Sequence, residues 1–386
     1  MKNRILILAT HSFIGVGAKI GVQHLAEGLA NRGWHVDYVS VGSSWFDLIS
    51  KQRRKRLSRV WFGGASSATG IPIKEGLTEY SARLPFPIHR LFIKYRWQLS
   101  WVKNCLPRSL REQRYDVVIY ESSPSIVWLE QISAEHRVFR LNDYPAGFST
   151  SLPELVVNEF ARALEKGVEE VWAVSKPLAD WVRSQTSQGV TVELLPNGVA
   201  ASQVVGTHYS PRCRVYSCRA VFVGDLDSPW LDRELLEAVA KHLPSWHFDL
   251  FGPGRWKSAS SPKNLCIKGP VHANEVAELL GHYDVGLIPY RDVDDRMRFV
   301  ERPLKFYEYI GAGLGVASTN VGAMKAGMGD LACYGNNAQG FANAIVAAQE
   351  AAAQRPAGFS EQFLKAHSWA SVVDQAARRL DALLAE

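Results

Sequence analysis

Apolar residues in this chain come in short continuous runs separated by longer amphipathic stretches, and the two kinds alternate. Residues 5–9, Ile-Leu-Ile-Leu-Ala, form a five-residue apolar run, the length and content of a strand buried on both faces. A Gly-containing loop over residues 11–21 follows, then a helix over 18–31 that stops at Gly33, then a second strand over 34–41. The alternation continues with strands at 116–120, 137–141, 170–174 and 192–195, and with helices at 153–166 and from Lys176 to 183. Ser175 is placed to cap that last helix, with Pro177 in its first turn. Residues 200–219 are polar and without periodicity, which suits a linker. A second series follows, with strands at 220–223, 246–251, 265–267, 284–288 and 315–318, an edge strand within 330–334, and helices at 303–312, 338–353 and 369–384. Strand and helix alternating twice over predicts α/β architecture with two doubly wound, Rossmann-like domains. The expected boundaries are 1–199, 200–368 and a terminal helix at 369–386.

Composition supports this and adds an asymmetry. A chain of 386 residues is long enough for two cores, and 47% hydrophobic with 21% charged residues describes folded domains. The five cysteines are scattered without metal-ligand or disulfide spacing, so neither a metal nor a cofactor is expected, and a reducing compartment is. The first apolar run is too short for a signal-peptide core, and no run approaches the roughly 18 residues of a spanning helix.

The net charge of +6 is unevenly spread. The first 116 residues carry 19 Lys and Arg against 7 Asp and Glu. Within them Arg53, Arg54 and Arg56 sit near Trp45, and Lys94 is interleaved with Trp97 and Trp101. Cations with interfacial aromatics suit an anionic membrane surface. The same residues could be a solvated face over core aromatics, or could contact nucleic acid, for which no recognised motif is present.

Candidate chemistry lies at strand ends. Lys305 and Glu308 share a face in the first turns of a helix that opens at Pro303, where free N–H groups favour an anion. An ordinary surface ion pair is the plainer alternative. The strands before it end in Gly224-Asp225-Leu226, Gly252-Pro253-Gly254, Gly269-Pro270 and Pro289-Tyr290, as a crevice between close backbones requires. In the first half, Glu121 and Asp143 follow strands and point to the ligand end of a parallel sheet. Each could accept a proton from a hydroxyl, or simply cap a turn. Gly15-Val16-Gly17 with Gly21 does not match the dinucleotide fingerprint.

The segment Pro303-Leu304-Lys305-Phe306-Tyr307-Glu308-Tyr309 followed by Gly311-Ala312-Gly313 resembles the donor-binding segment of GT-B glycosyltransferases, and Pro196-Asn197-Gly198-Val199 resembles the junction between their halves. The resemblance implies two Rossmann-like domains with a deep cleft and a nucleotide-sugar donor. In it, Lys305 contacts the diphosphate, Glu308 the ribose, Gly224, Asp225 and Gly252 the phosphate region, and Leu226 and Tyr290 the base. Phe139-Arg140-Leu141-Asn142-Asp143 is most similar to the bacterial xanthan-type glucuronosyltransferases. Those are inverting enzymes, peripheral on the cytoplasmic face of the inner membrane, that extend polyprenyl-diphosphate-linked saccharides. The implied base is Asp143. Two departures stand out: those relatives carry Gln where this chain has Glu308, and six residues separate Glu301 from Glu308 where many retaining members have seven. A retaining transferase, and a non-catalytic basic module that docks on membrane or nucleic acid, are the alternative readings.

Overall fold

The computed structural model describes residues 3–9, 11–13, 19–44, 70–84, 105–121, 128, 131–145, 153–165, 167–186, 189–199, 218–256, 261–272 and 275–385. The chain divides into two compact units, Met1–Pro196 with Val372–Glu386, and Asn197–Ser371.

The first unit is built on eight strands: β1 (Arg4–Ala9), β2 (His35–Ser44), β3 (Ile71–Lys74), β4 (Leu77–Leu84), β5 (Arg114–Glu121), β6 (Ser133–Leu141), β7 (Glu170–Ala173) and β8 (Thr191–Leu194). Their order is β3-β4-β2-β1-β5-β6-β7-β8. All neighbours run parallel except the β3–β4 hairpin. The helices are α1 (Gly21–Asn31), α2 (Arg108–Arg111), α3 (Pro153–Glu165) and α4 (Lys176–Gln185). Ile5 through Ala9 are all fully buried, as a continuous apolar run in a parallel sheet should be. Ser175 caps α4 as expected, its hydroxyl accepting from the Leu178 N–H at 3.4 Å.

The hairpin is one of the elements that the sequence reading lacks. Its loop is Glu75-Gly76, with Gly76 at φ 77°, a conformation that suits glycine in a two-residue turn.

The second unit has six strands: β9 (Cys218–Val223), β10 (Trp246–Phe251), β11 (Leu265–Gly269), β12 (Val285–Ile288), β13 (Gly315–Ser318) and β14 (Cys333–Tyr334). They are ordered β11-β10-β9-β12-β13-β14, and every pairing is parallel. The strand order reverses between β9 and β12, as in a doubly wound nucleotide-binding sheet. Helices α5 (Arg233–His242), α6 (Val276–Leu280), α7 (Leu304–Gly311), α8 (Met324–Met328), α9 (Ala338–Ala353), α10 (Phe359–Ala366) and α11 (Trp369–Leu383) complete the chain. Helix α10 is absent from the sequence reading.

The chain leaves the first unit after Pro196 and returns to it at Val372, inside α11. A side chain at Gly198 would stand 2.7 Å from the backbone nitrogen of Trp369, so the glycine of the junction is a packing requirement. Beyond Val372, α11 is tied to the first unit. Arg379 pairs with Glu170 of β7 and, at 3.3 Å, with Glu193 of β8, while Val373 fills the space over Gly28 of α1.

Candidate functional site

In the second unit, three strand ends and one helix tip converge where the strand order reverses. Strand β9 runs out into Gly224, β10 into Gly252 and β12 into Pro289-Tyr290. The Gly224 N–H donates to the Phe251 carbonyl at 2.8 Å, and the Gly252 N–H to that of Gly269 at 2.8 Å. Gly252 has φ 151°, and a Cβ there would lie 1.7 Å from the Gly224 carbonyl oxygen. The backbones of β9 and β10 thus close on each other as only glycine permits.

Lys305 completes the cluster. A Cβ on Gly224 would stand 2.7 Å from both Cε and Nζ of Lys305, so the ammonium lies against bare backbone. Its nitrogen is 5.3 Å from the Phe222 ring centroid and 5.9 Å from that of Tyr290, a partly apolar cradle that strengthens its field. Pro303, expected inside the first turn of α7, is instead its N-cap, with φ −62° and ψ 148°. Lys305 is therefore the second helical residue, beside unsatisfied backbone N–H groups. Helix α7 is held in place by Tyr309, whose hydroxyl accepts from the Val223 N–H at 3.2 Å. The Tyr309 ring occupies the space that a side chain at Gly286 of β12 would need.

The other donor-site candidates differ in what they offer. Glu308 is half-buried on α7. Asp225 is exposed and closes its own turn, accepting from the Asp227 N–H at 2.9 Å. Leu226, expected near the base, has a side chain 0% exposed in the core, so it braces the loop from beneath. Tyr290 is buried, only 7% exposed, and fixed by Thr319, whose hydroxyl oxygen accepts from the Tyr290 N–H at 3.0 Å. Thr319 has no motif in the sequence to announce it, and Tyr309, though it ends the Pro303–Tyr309 segment, carries no signal there of its contact with Val223.

In the first unit, Glu121 and Asp143 stand at the carboxyl ends of neighbouring strands. Glu121 closes β5 and is in register with Arg140 of β6. Arg140 is 0% exposed and Glu121 2%. Burial pushes the Arg140 guanidinium down to about 10, against the opposing pull of Glu121 and Asp143. Asn142 bridges the pair: its Oδ1 accepts from Arg140 and its Nδ2 donates to Glu121. Asp143, next in the chain, has an exposed side chain. Of the two acids, Asp143 is the one at the surface.

Trp45, Arg53, Arg54, Arg56, Lys94, Trp97 and Trp101 lie outside the described residues. Among the described residues, no helix is long and apolar enough to cross a membrane. His247, Asp249 and Cys266 bring one ligand atom each within 4.8 Å of one another. Asp249 there already accepts from Arg219 and from the Tyr283 hydroxyl, both at 2.8 Å, with Lys268 at 3.4 Å. Two cations on that carboxylate oppose a third, divalent one. A 570 Å³ cavity lined by Tyr283, Asp284 and Gly313 sits at the opposite, amino ends of the second sheet.

Comparison with solved structures fits this architecture. The structure superimposes on the sucrose-phosphate synthase of Thermosynechococcus elongatus with a TM-score of 0.73 at 16% identity, covering 100% of each chain. The chain has the GT-B fold. Anabaena HepE in complex with UDP-glucose gives 0.63 at 13% identity, over 98% of this GT-B chain and 99% of that one. A glycosyltransferase from Rickettsia africae gives 0.61 at 13%, over 99% of each. Residues 7–164 match the family model described as the N-terminal domain of the glucuronosyltransferase GumK, and residues 217–350 match glycosyl transferases group 1. A search of curated proteins found no match to the GT-B chain.

Proposed function

We propose that this protein transfers a sugar from a nucleotide-sugar donor, UDP-linked and with UDP-glucuronic acid as the leading candidate, to a polyprenyl-diphosphate-linked saccharide, with inversion. The observation that carries the reading is Lys305: an ammonium laid against the bare backbone of Gly224, at the switch point of a nucleotide-type sheet and the tip of a helix. That combination suits a diphosphate leaving group. The glucuronosyltransferase match in the first half and the UDP-glucose complex of HepE favour the sugar and the nucleotide.

In this mechanism the acceptor hydroxyl gives its proton to Asp143 as its oxygen bonds to the anomeric carbon. The bond from that carbon to the diphosphate breaks, and its electron pair leaves with the nucleotide. Lys305 and the first N–H groups of α7 stabilise the charge that develops on the diphosphate, so the step needs no metal. Glu308 takes the ribose hydroxyls, Tyr290 sits toward the base, and Gly224, Asp225 and Gly252 bound the phosphates. Trp45, Arg53, Arg54, Arg56, Lys94, Trp97 and Trp101 hold the enzyme on the anionic cytoplasmic face of the inner membrane, where such an acceptor lies.

Calorimetric titration with UDP-, GDP- and dTDP-sugars tests the donor site. A UDP-sugar should bind the wild type, and binding of none of them would overturn the reading. Sedimentation with anionic vesicles should fall when Arg53, Arg54 and Arg56 are replaced together, and unchanged sedimentation would remove the membrane component.

A further inference from the structure

The first unit buries an unusual set of groups at the end of its sheet that carries Asp143. Arg140 and Glu121 face each other across β5 and β6, both withdrawn from water. A buried ion pair is a poor source of stability, because desolvation offsets most of the attraction. It does fix geometry, and the geometry here converges on one side chain. An arginine can only donate and a glutamate carboxylate can only accept, so the amide of Asn142 has one orientation that satisfies both. It takes that orientation, with Oδ1 toward Arg140 and Nδ2 toward Glu121. The residue on the other side of Asp143 is anchored as well. Tyr144 packs edge-on against Trp181 of α4, centroids 5.3 Å apart, and Trp181 stacks on Phe160 of α3 at 5.3 Å. An exposed aspartate is therefore held between two anchored neighbours.

We infer that Glu121, Arg140 and Asn142 form a positioning triad that holds the turn bearing Asp143 in its working conformation, and that Glu121 takes no proton from the acceptor. The inference rests on the reading of Asp143 as base. Its reach is specific to the catalytic step, since the donor cluster around Lys305 is built from other residues in the second unit. Disturbing the triad should lower kcat and leave the donor KM in place.

The donor–acceptor logic of the triad supplies its own test. Asn142→Asp adds a third carboxylate around one guanidinium, beside Glu121 and Asp143. Glu121→Gln leaves Arg140 with Asp143 as the facing acid, which draws the base inward. The double variant Asn142→Asp/Glu121→Gln restores the charge count and the number of hydrogen bonds, with the glutamine amide now donating to Asp at position 142. Nucleotide release from the UDP-sugar that binds in the titration, with a polyprenyl-diphosphate-linked oligosaccharide as acceptor, is followed for each, with thermal melts alongside. Each single variant should lose about ten- to a hundredfold in kcat, the scale of a misplacement near 1 Å, with donor KM within about twofold. The double variant should recover kcat to within about threefold of wild type. A folded double variant no more active than the singles overturns the triad, as does a wild-type kcat in Asn142→Asp. Asp143→Asn separates the two readings. Its near-normal turnover would remove the base itself, whereas an inactive Asp143→Asn beside fully active position-142 variants would remove only the positioning role.

Discussion

The two units repeat one architecture, a parallel sheet whose strand order reverses in the middle, yet they furnish its carboxyl end in opposite ways. In the second unit that end is stripped of side chains. Gly224 and Gly252 bring two backbones together, and a positive charge laid against them, on Lys305, is lent by a helix tip. Its buried ion cluster, Asp249 with Arg219 and Tyr283, lies along the strands before that end. In the first unit a buried pair of opposite charges, Arg140 and Glu121, stands at the end itself and flanks a surface acid, while Asp37, Glu79 and Glu170 are buried elsewhere along its strands. A polyanion needs close backbone and a fixed positive field. A proton acceptor needs an exposed carboxylate whose neighbours cannot move. Under the proposed function, one fold would meet both needs by changing which residues end its strands.

Four measurements would break or sharpen this contrast. The largest effect is expected at the surface acid. Asp143→Asn should reduce turnover by about 10²–10⁴-fold while calorimetric affinity for the UDP-sugar is unchanged, because the amide keeps the shape and loses the basicity. Retained turnover would instead favour a retaining mechanism.

Next comes the buried carboxylate of the second unit. Asp249→Asn should cost about 3–5 kcal/mol in urea denaturation, since it leaves Arg219 without its buried partner. Burial alone would raise the Asp249 carboxyl, but the hydrogen bonds from Tyr283 and Arg219 outweigh it and hold the group below its usual 3.8. A depressed carboxyl contributes stability that is fully present above its unfolded value and is lost as pH falls through the folded one. The wild type should therefore lose stability from about pH 4 downward, and that part of the acid limb should vanish in Asp249→Asn. Equal acid limbs in the two proteins would remove Asp249 from this role.

Lys305→Ala should weaken UDP-sugar binding about 10–100-fold, or about 1.4–2.8 kcal/mol, with little change in melting temperature. An unchanged affinity would mean that the glycine backbone alone holds the diphosphate. The smallest effect belongs to the exterior pair between α1 and α11, Arg32 with Asp374. Arg32→Ala should change stability by less than about 1 kcal/mol and leave activity alone.

Much of this was legible in the residues. Apolar run length placed most strands within a residue or two, because a parallel sheet buried on both faces leaves no polar positions to blur the signal. Strand ends in Gly and Pro, ahead of a Pro-opened helix with an early lysine, marked the cluster of Gly224, Gly252 and Lys305, since close backbone approach demands those residue types. The β3–β4 hairpin was less visible, because its signal is one glycine between short alternating strands. Glu121 shows a different limit: a strand-end acid next to a Ser-Ser-Pro stretch gives no sign in the sequence of its burial or of its register with Arg140.

What the sequence determined by itself is therefore the periodic and the conformational: where strands run, where they must stop, and where only glycine or proline will do. These follow from local sterics and from burial on two faces. What tertiary structure alone decided is which side chains meet: Lys305 with Gly224, Tyr309 with Gly286 and Val223, Asn142 with both Arg140 and Glu121. Those encounters depend on strand order and register, and pairing between distant segments leaves no period in the chain to read.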